Sequence, residues 1–410
     1  MKIVVLQDDF PPQVKGGAGI VAASFVNELA IRGHELTVIT AVQDRAQVGS
    51  FLEGSVRVER IYSRYAARWR SWLSLYNPAT VPEIRRILAE VKPEVVHAHN
   101  IHYHLSYWSL RLARESGARV FLTAHDVMLF HYGKLYSFAG SNDLAARQYH
   151  VSAWQQLRTY RFWYNPLRNV VIRRLLRNVG KIFAVSAALK DALVQNGITN
   201  VEVIHNGIKA EEWCMSPERT EAFVQKYGIE GKKVILFGGR ISGSKGGYVM
   251  LTALRDVVQA ESLAVLLLLG TRDAYVEELK QQAEVLGIGD HVVSTGWLSG
   301  DELHAAYHSA TVVVMPSVYL EPFGMIALEA MACSKPVVGS CFGGIPEMIV
   351  DGETGYVVDP RDTELFARRI IDVLSDKALQ YVLGQKALER VGVYFSLEKQ
   401  VLEVLKWYKS

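Results

Sequence analysis

Cysteine is scarce. There are three in 410 residues (Cys214, Cys333 and Cys341), and none forms a Cys-x-x-Cys pair. That excludes a disulfide framework and fits a reducing cytoplasm. No stretch reaches 18 uninterrupted apolar residues, and the run Ile3–Leu6 is too short for a signal peptide. The expectation is a cytoplasmic protein that neither leaves the cell nor spans a membrane, although it could lie peripherally on the inner membrane face. No Asp-x-Asp occurs, which removes the usual way of holding a divalent ion on a diphosphate. Single-sign charge is also missing. The net charge is +3, so the whole-molecule balance gives no pointer to nucleic acid, and no RNA-recognition motif is present. No internal repeat or low-complexity segment is found. Half of the residues are apolar and 21% are charged, as in a globular chain long enough for two or three cores.

What is there is alternation. Short apolar runs at Ile3–Leu6, Leu36–Thr40, Val95–His99, Val120–His125, Ile182–Ser186 and Val201–Ile204 read as strands, with helical patterns between several of them. A second series follows at Lys233–Phe237, Ala264–Leu269, Val292–Ser294, Val312–Met315, Val337–Gly339 and Tyr356–Val358. Strand alternating with helix predicts an α/β chain with parallel sheets covered on both faces. Between the two series, Lys209–Gly231 is polar and lacks a strand. The reading is therefore a first Rossmann-like domain over 1–205, a second over 206–390, and a terminal amphipathic helix within 391–410. Ligands of such sheets bind at the carboxyl ends of the strands.

Several residues fall at such ends. Glu321-Pro322-Phe323-Gly324 follows one strand, and a helical pattern carries Glu329 about a turn and a half in. The amides of Gly324, Met325 and Ile326 are the free N–H groups of that helix start, an anion seat. Two carboxylates around it would repel a phosphate but accept hydroxyl protons, which suggests a nucleotide-sugar diphosphate. Gly239-Arg240 and Lys245 put two cations on a glycine-rich loop, enough to neutralise a departing diphosphate without a metal. Gly16-Gly17 opens the first helix and allows close backbone approach. His125-Asp126 closes a strand. His97, His99, His102 and His104 crowd together without a nearby acidic or cysteine ligand, so lining a strand end is the better reading than a metal site. From Leu144 to Lys190 there is no acid. Arg147, Arg158, Arg161, Arg168, Arg173, Arg174 and Arg177 are interleaved with Trp154, Tyr160, Phe162, Trp163 and Tyr164. This composition suits an anionic membrane or an anionic acceptor. Arg60, Arg64, Arg68, Trp69, Arg70 and Trp72 form a smaller group of the same kind.

Together these motifs resemble the retaining glycosyltransferases of the GT-B fold, family 4 (glycosyl transferases group 1). The resemblance rests on Glu321–Gly324 through Glu329–Ala332, Lys335-Pro336-Val337-Val338, Gly343-Gly344-Ile345-Pro346-Glu347 and Gly352–Gly355, with Arg240, Lys245, His125-Asp126, Gly16-Gly17 and Asn206-Gly207 in the matching places. It implies two Rossmann-like domains facing across a cleft, with the terminal helix crossing back to the first. It implies a nucleoside-diphosphate sugar donor (UDP- or GDP-linked), an acceptor hydroxyl on a saccharide or lipid-linked chain in glycan assembly, and neither metal nor other cofactor. Arg240 and Lys245 would bind the diphosphate, Glu321 the sugar and Glu329 the ribose. His125 would lie beside the reacting sugar. Gly16, Gly17, Asn206, Gly239, Phe323 and the 324–326 amides would serve the donor. His99, Arg158, Arg161, Trp163, Arg173 and Arg174 would face acceptor or membrane. Ser334 departs from the family's usual glycine, and Lys209 from its frequent acid. A nucleotide-sugar epimerase, or a non-catalytic nucleotide-sugar or membrane-binding module, would fit the same fold.

Overall fold

A computed structural model describes residues 1–12, 14, 16–136, 148–270 and 273–409. Contacts divide the chain into two units, Met1–Gly207 with Leu397–Ser410, and Ile208–Ser396.

The first unit holds strands β1 (Lys2–Leu6), β2 (Glu35–Val42), β3 (Gly49–Glu53), β4 (Val56–Tyr62), β5 (Val95–Ala98), β6 (Arg119–Ala124), β7 (Lys181–Ala184) and β8 (Val201–Val203). Their order is β3-β4-β2-β1-β5-β6-β7-β8. Every pair is parallel except β3 with β4. The β3–β4 hairpin went unread in the sequence. Its arginines resemble a basic patch, but Arg60 is paired to Glu53 at 2.5 Å and lies over the Phe51 ring. The strand order reverses between β1 and β5, so loops diverge there and open a crevice at the strands' carboxyl ends.

The terminal helix, Leu397–Lys409, belongs to this unit. Residues 391–394 are the last turn of the preceding helix, Lys377–Tyr394, and the terminal helix follows Ser396, where its apolar pattern begins in the sequence. Its apolar stripe of Leu397, Val401, Val404, Leu405 and Tyr408 joins one core with Ile3, Val5, Phe25, Leu29 and Phe183. Each such side chain contributes about 1.5–3 kcal/mol by leaving water.

The second unit holds β9 (Lys233–Gly238), β10 (Ala264–Leu269), β11 (Val292–Gly296), β12 (Val312–Met315), β13 (Val337–Ser340) and β14 (Gly355–Val358), all parallel, in the order β11-β10-β9-β12-β13-β14. Ala-Val-Leu-Leu-Leu-Leu of β10 is buried along its whole length, as a strand covered on both faces requires. Here the order reverses between β9 and β12.

Candidate functional site

In the second unit, three loops meet at that reversal. The loop after β9 runs through Gly239, Arg240 and Lys245 to the helix Gly247–Ala260. The loop after β12 carries Ser317, Tyr319 and Glu321 to the helix Met325–Ala332. The loop after β13 contributes Gly343 and Gly344. They are stitched by backbone bonds, Val318 N–H to the Ser244 carbonyl at 2.9 Å and Gly344 N–H to the Glu321 carbonyl at 2.8 Å. Two glycines make this approach possible. A Cβ at Gly246 would lie 1.9 Å from the Pro316 oxygen, and one at Gly343 would lie 2.0 Å from the Glu321 oxygen; both have positive φ.

The two helices opening here begin with glycine caps, Gly246 and Gly324, both left-handed and neither followed by an acid in the first turn. Elsewhere in this unit Ser216, Asp273, Asp362 and Asp376 cap helices with their own side chains. The Met325 and Ile326 amides have no helical acceptor, by the geometry of a first turn. An anion is the natural partner of such a terminus.

Glu321 is buried and paired with Lys245, Oε2 to Nζ 2.5 Å; Ser317 donates to the same oxygen at 3.1 Å. Burial pushes its carboxyl up, but the Lys245 charge and bonds from Lys245, Tyr319 and Ser317 prevail and hold it below the usual carboxylate range. Lys245 thus spends one of three donors on Glu321. Arg240 is exposed at the loop's start. Glu329 accepts a hydrogen bond from the Tyr307 hydroxyl. Burial pushes this carboxyl up, and the Tyr307 bond offsets part of the rise. Trp213 lies edge-on to Tyr307, ring centroids 5.4 Å apart. Sequence reading missed Tyr307, which there is simply an apolar position on the helix Gly300–Ser309.

Phe323 is buried and packs its ring against Phe395. Met325 and Ile326 are half-buried, and the Ile326 Cδ1 would sit 2.8 Å from a Cβ at Gly239.

In the first unit, the carboxyl ends of β5 and β6 carry stacked imidazoles. His97 stacks on His99 at 4.5 Å between ring centroids, and His99 on His125 at 5.2 Å. His97 bonds Thr123 Oγ1 at 2.7 Å and the Tyr408 hydroxyl of the terminal helix, and His99 Nδ1 pairs with His125 Nε2 at 2.8 Å. Burial holds all of them neutral, with His97 lowered to about 3, His125 to about 4 and His99 well below its ordinary value. His99 is buried beside His125, and its Nε2 has no hydrogen-bond partner. His102 reaches Asp126 Oδ2 at 3.5 Å and is also lowered by burial, to about 4. Among the described residues no group of three or more His, Cys, Asp or Glu could hold a metal. Asp8, after β1, accepts from the Tyr103, His104 and Leu105 amides, and burial still pushes it up to about 7. Gly16 caps the helix Gly17–Ile31 without a side-chain bond or a first-turn acid. Asn206 is buried in this unit, its Oδ1 without a partner.

The basic-aromatic segment forms helices Ala153–Tyr160 and Arg168–Leu175 with a turn, Arg161–Trp163, between them. Arg158, Arg161, Trp163, Arg173 and Arg174 are exposed, and Phe162 is 97% exposed. Arg168 is not a surface cation at all; it is fully buried. Gln156, Arg168 and Asn169 fasten this segment to the loop after His125-Asp126 through the Met128 and Phe130 carbonyls. Arg147 lies outside the described residues. No described helix is long and apolar enough to cross a membrane.

Known proteins match over nearly the whole chain. The pattern described as Glycosyltransferase Family 4 matches residues 15–212, and that described as Glycosyl transferases group 1 matches 219–390. An uncharacterised glycosyltransferase of Methanocaldococcus jannaschii is 29% identical, covering 100% of this chain and 98% of its own. A GDP-mannose-dependent alpha-(1-6)-phosphatidylinositol monomannoside mannosyltransferase of Mycolicibacterium smegmatis is 26% identical, covering 93% and 91%. The solved structure of an Anabaena protein in complex with UDP and glucose superposes with a TM-score of 0.74 at 20% identity, covering 100% and 99%, a likeness of fold. With two parallel-sheet units of this topology, and both halves matched, the chain belongs to the group 1, family 4 glycosyltransferases of the GT-B fold.

Proposed function

We propose that this glycosyltransferase moves a sugar from a nucleoside-diphosphate sugar to an acceptor hydroxyl with retention at the anomeric carbon, using neither metal nor other cofactor. The observation that carries the proposal is the Lys245–Glu321 pair set between two glycine-capped helix starts. A diphosphate fits the open amides, Arg240 and the remaining Lys245 donors. Glu321, kept ionised, accepts from sugar hydroxyls; Glu329 and Tyr307 suit a ribose. His125, neutral, serves the reacting sugar by hydrogen bonding without adding charge. Gly16, Gly17 and Asn206 complete the donor contacts from the first unit.

Among the described residues no carboxylate is obviously placed as a nucleophile, and Glu321 is paired with Lys245 and accepts from Ser317. The reading is a front-face reaction. The anomeric carbon–phosphate bond breaks, the acceptor oxygen bonds to the same face, and its proton passes to the leaving phosphate. The rate then rests on stabilising the departing diphosphate and on holding the reactants in line.

By their names, one relative is GDP-mannose-dependent and one structural neighbour binds UDP and glucose, which supports a UDP- or GDP-sugar as the proposed donor. The exposed aromatics and arginines of 153–174 favour peripheral contact with an anionic membrane on the cytoplasmic side, with a lipid-linked or saccharide acceptor. Nucleoside diphosphate release from UDP-, GDP- and ADP-sugars, with product configuration read by NMR, is the test. Release that requires an acceptor and a retained anomer are the results expected. An inverted product, or donor consumption to an epimer without acceptor, overturns the reading. Salt-sensitive flotation with anionic vesicles tests the membrane contact, and its absence removes it.

A further inference from the structure

The first unit carries positive charge that its own carboxylates do not neutralise. Arg70, on the short helix Arg70–Leu73 after β4, lies with its guanidinium 3.8 Å from the Tyr103 ring and 5.4 Å from the Tyr132 ring. Its Nη2 meets only the Met128 thioether, at 3.3 Å, a weak acceptor, and its buried Nε has no partner. Arg168 approaches the same Tyr132 ring at 5.7 Å from the helix Arg168–Leu175, fully buried. It bonds the Met128 carbonyl and Asn169, and its Nε also lacks a partner.

No ion pair joins either guanidinium to an acid among the described residues. Asp126 is occupied by His102 and the Met128 amide, and Asp8 by three backbone amides. Two like charges around one ring, Arg168 out of water and Arg70 half-buried, repel one another unless something anionic shares the site. Arg168 satisfies part of its fork with a carbonyl and an amide oxygen, whereas Arg70 meets a thioether.

The same end of the sheet offers a second feature. Tyr103, under Arg70, is 42% exposed, and Tyr136 and Trp69 are exposed nearby in the chain. An exposed aromatic face packs the apolar side of a sugar ring, and a guanidinium over it is a ready fork for phosphate or carboxylate.

We propose that Arg70 and Tyr103 form an acceptor subsite for an anionic saccharide, Arg70 receiving a phosphate or carboxylate and Tyr103 supporting the sugar ring, with Arg168 as the fixed charge behind. This rests on the glycosyltransferase reading. The anion belongs either to the saccharide or to a lipid phosphate joined to it.

The test uses the full chain with its nucleotide sugar and three matched acceptors: a hexoside, the same hexoside phosphate, and the matching uronide. The wild type is expected to favour the anionic members at least tenfold in kcat/KM. R70Q should erase that ratio, and R70K should restore only part of it. A thermal shift with hexose phosphate alone, without donor, should appear in the wild type and vanish in R70Q. The melting profile of R70Q establishes that it folds. Phosphatidylglycerol vesicles that abolish the hexose-phosphate shift assign the anion to the lipid; retention of the shift assigns it to the saccharide. Equal use of neutral and anionic acceptors, or an R70Q ratio like the wild type, overturns the proposal. If no donor is turned over, the enzymatic reading fails, while the phosphate shift still decides the anion site.

Discussion

The two sheets reverse strand order at equivalent places, and the chain has built different chemistry at each. At the ends of β9 and β12 the polar groups are opposite charges, Lys245 against Glu321, with hydroxyls filling the remaining bonds. At the ends of β5 and β6 they are imidazoles stacked on one another and kept neutral by burial. The difference matches the task proposed for each edge. A site for a diphosphate needs cations that stay charged, so a carboxylate beside them limits their mutual repulsion. A site beside a reacting sugar needs donors and acceptors that add no charge.

Removing one charge should separate the edges most. Lys245→Ala takes away a leaving-group cation and strands Glu321 in a buried place. Turnover should fall by about 10²–10³-fold, with a stability loss of about 3–5 kcal/mol. Nucleoside diphosphate release and denaturant melts measure the two parts. Near-normal turnover would break the contrast.

Gly343→Ala probes the same edge through the backbone, since its new methyl would strike the Glu321 carbonyl at a left-handed residue. A loss of more than about 2 kcal/mol is expected, together with weaker donor binding by calorimetry.

Acid should act on the other edge first. Unfolded histidine protonates near 6.5, whereas His97 is lowered to about 3 and His102 and His125 to about 4. Between those values the unfolded chain binds protons that the folded one refuses, so stability falls as pH drops from 6.5 towards 4. Each such group contributes up to about 1.4 kcal/mol per pH unit. Asp8, raised to about 7, works the opposite way, against the four lowered histidines of this edge. Glu321, held low, gives up its contribution only below the ordinary carboxylate range. Hydrogen exchange at pH 5 against pH 7.5 should show β5 and β6 losing protection before β9 and β12. Simultaneous loss would remove the distinction.

Tyr307→Phe should be milder. It deprives Glu329 of its donor at a cost of about 1–2 kcal/mol, read as a donor KM raised roughly tenfold. The smallest effect is expected at Ser334, which sits at φ 55. Glycine there relieves left-handed strain of about 1–2 kcal/mol but costs about 0.5–1 kcal/mol in backbone freedom, so Ser334→Gly should stabilise by under about 1 kcal/mol in a thermal melt.

The buried parallel strands were legible because apolar runs between turn residues have few other uses. The loops after β9, β12 and β13 were legible because glycine and charge recur there at fixed positions relative to strands. What sequence hid was the state of each side chain. Arg60 looks like part of a basic patch until Glu53 is seen to pair with it. Arg168 looks like surface and is interior, and His99 and Phe323, which sit in motifs, are buried as well. Charge, hydrophobicity and spacing are local, while burial and partnership come from distant segments. Tyr307 and Glu329 are 22 residues apart.

One consequence of the closing helix concerns how the chain is made. Its Tyr408 bonds His97, and its stripe shares a core with β1. The first unit is therefore completed only after the second has been made. Residues 1–207 must wait, with part of their core uncovered, until Leu397–Lys409 has left the exit tunnel. Loss of that helix to a protease would wound the unit built from 1–207 while leaving the unit built from 208–396 intact.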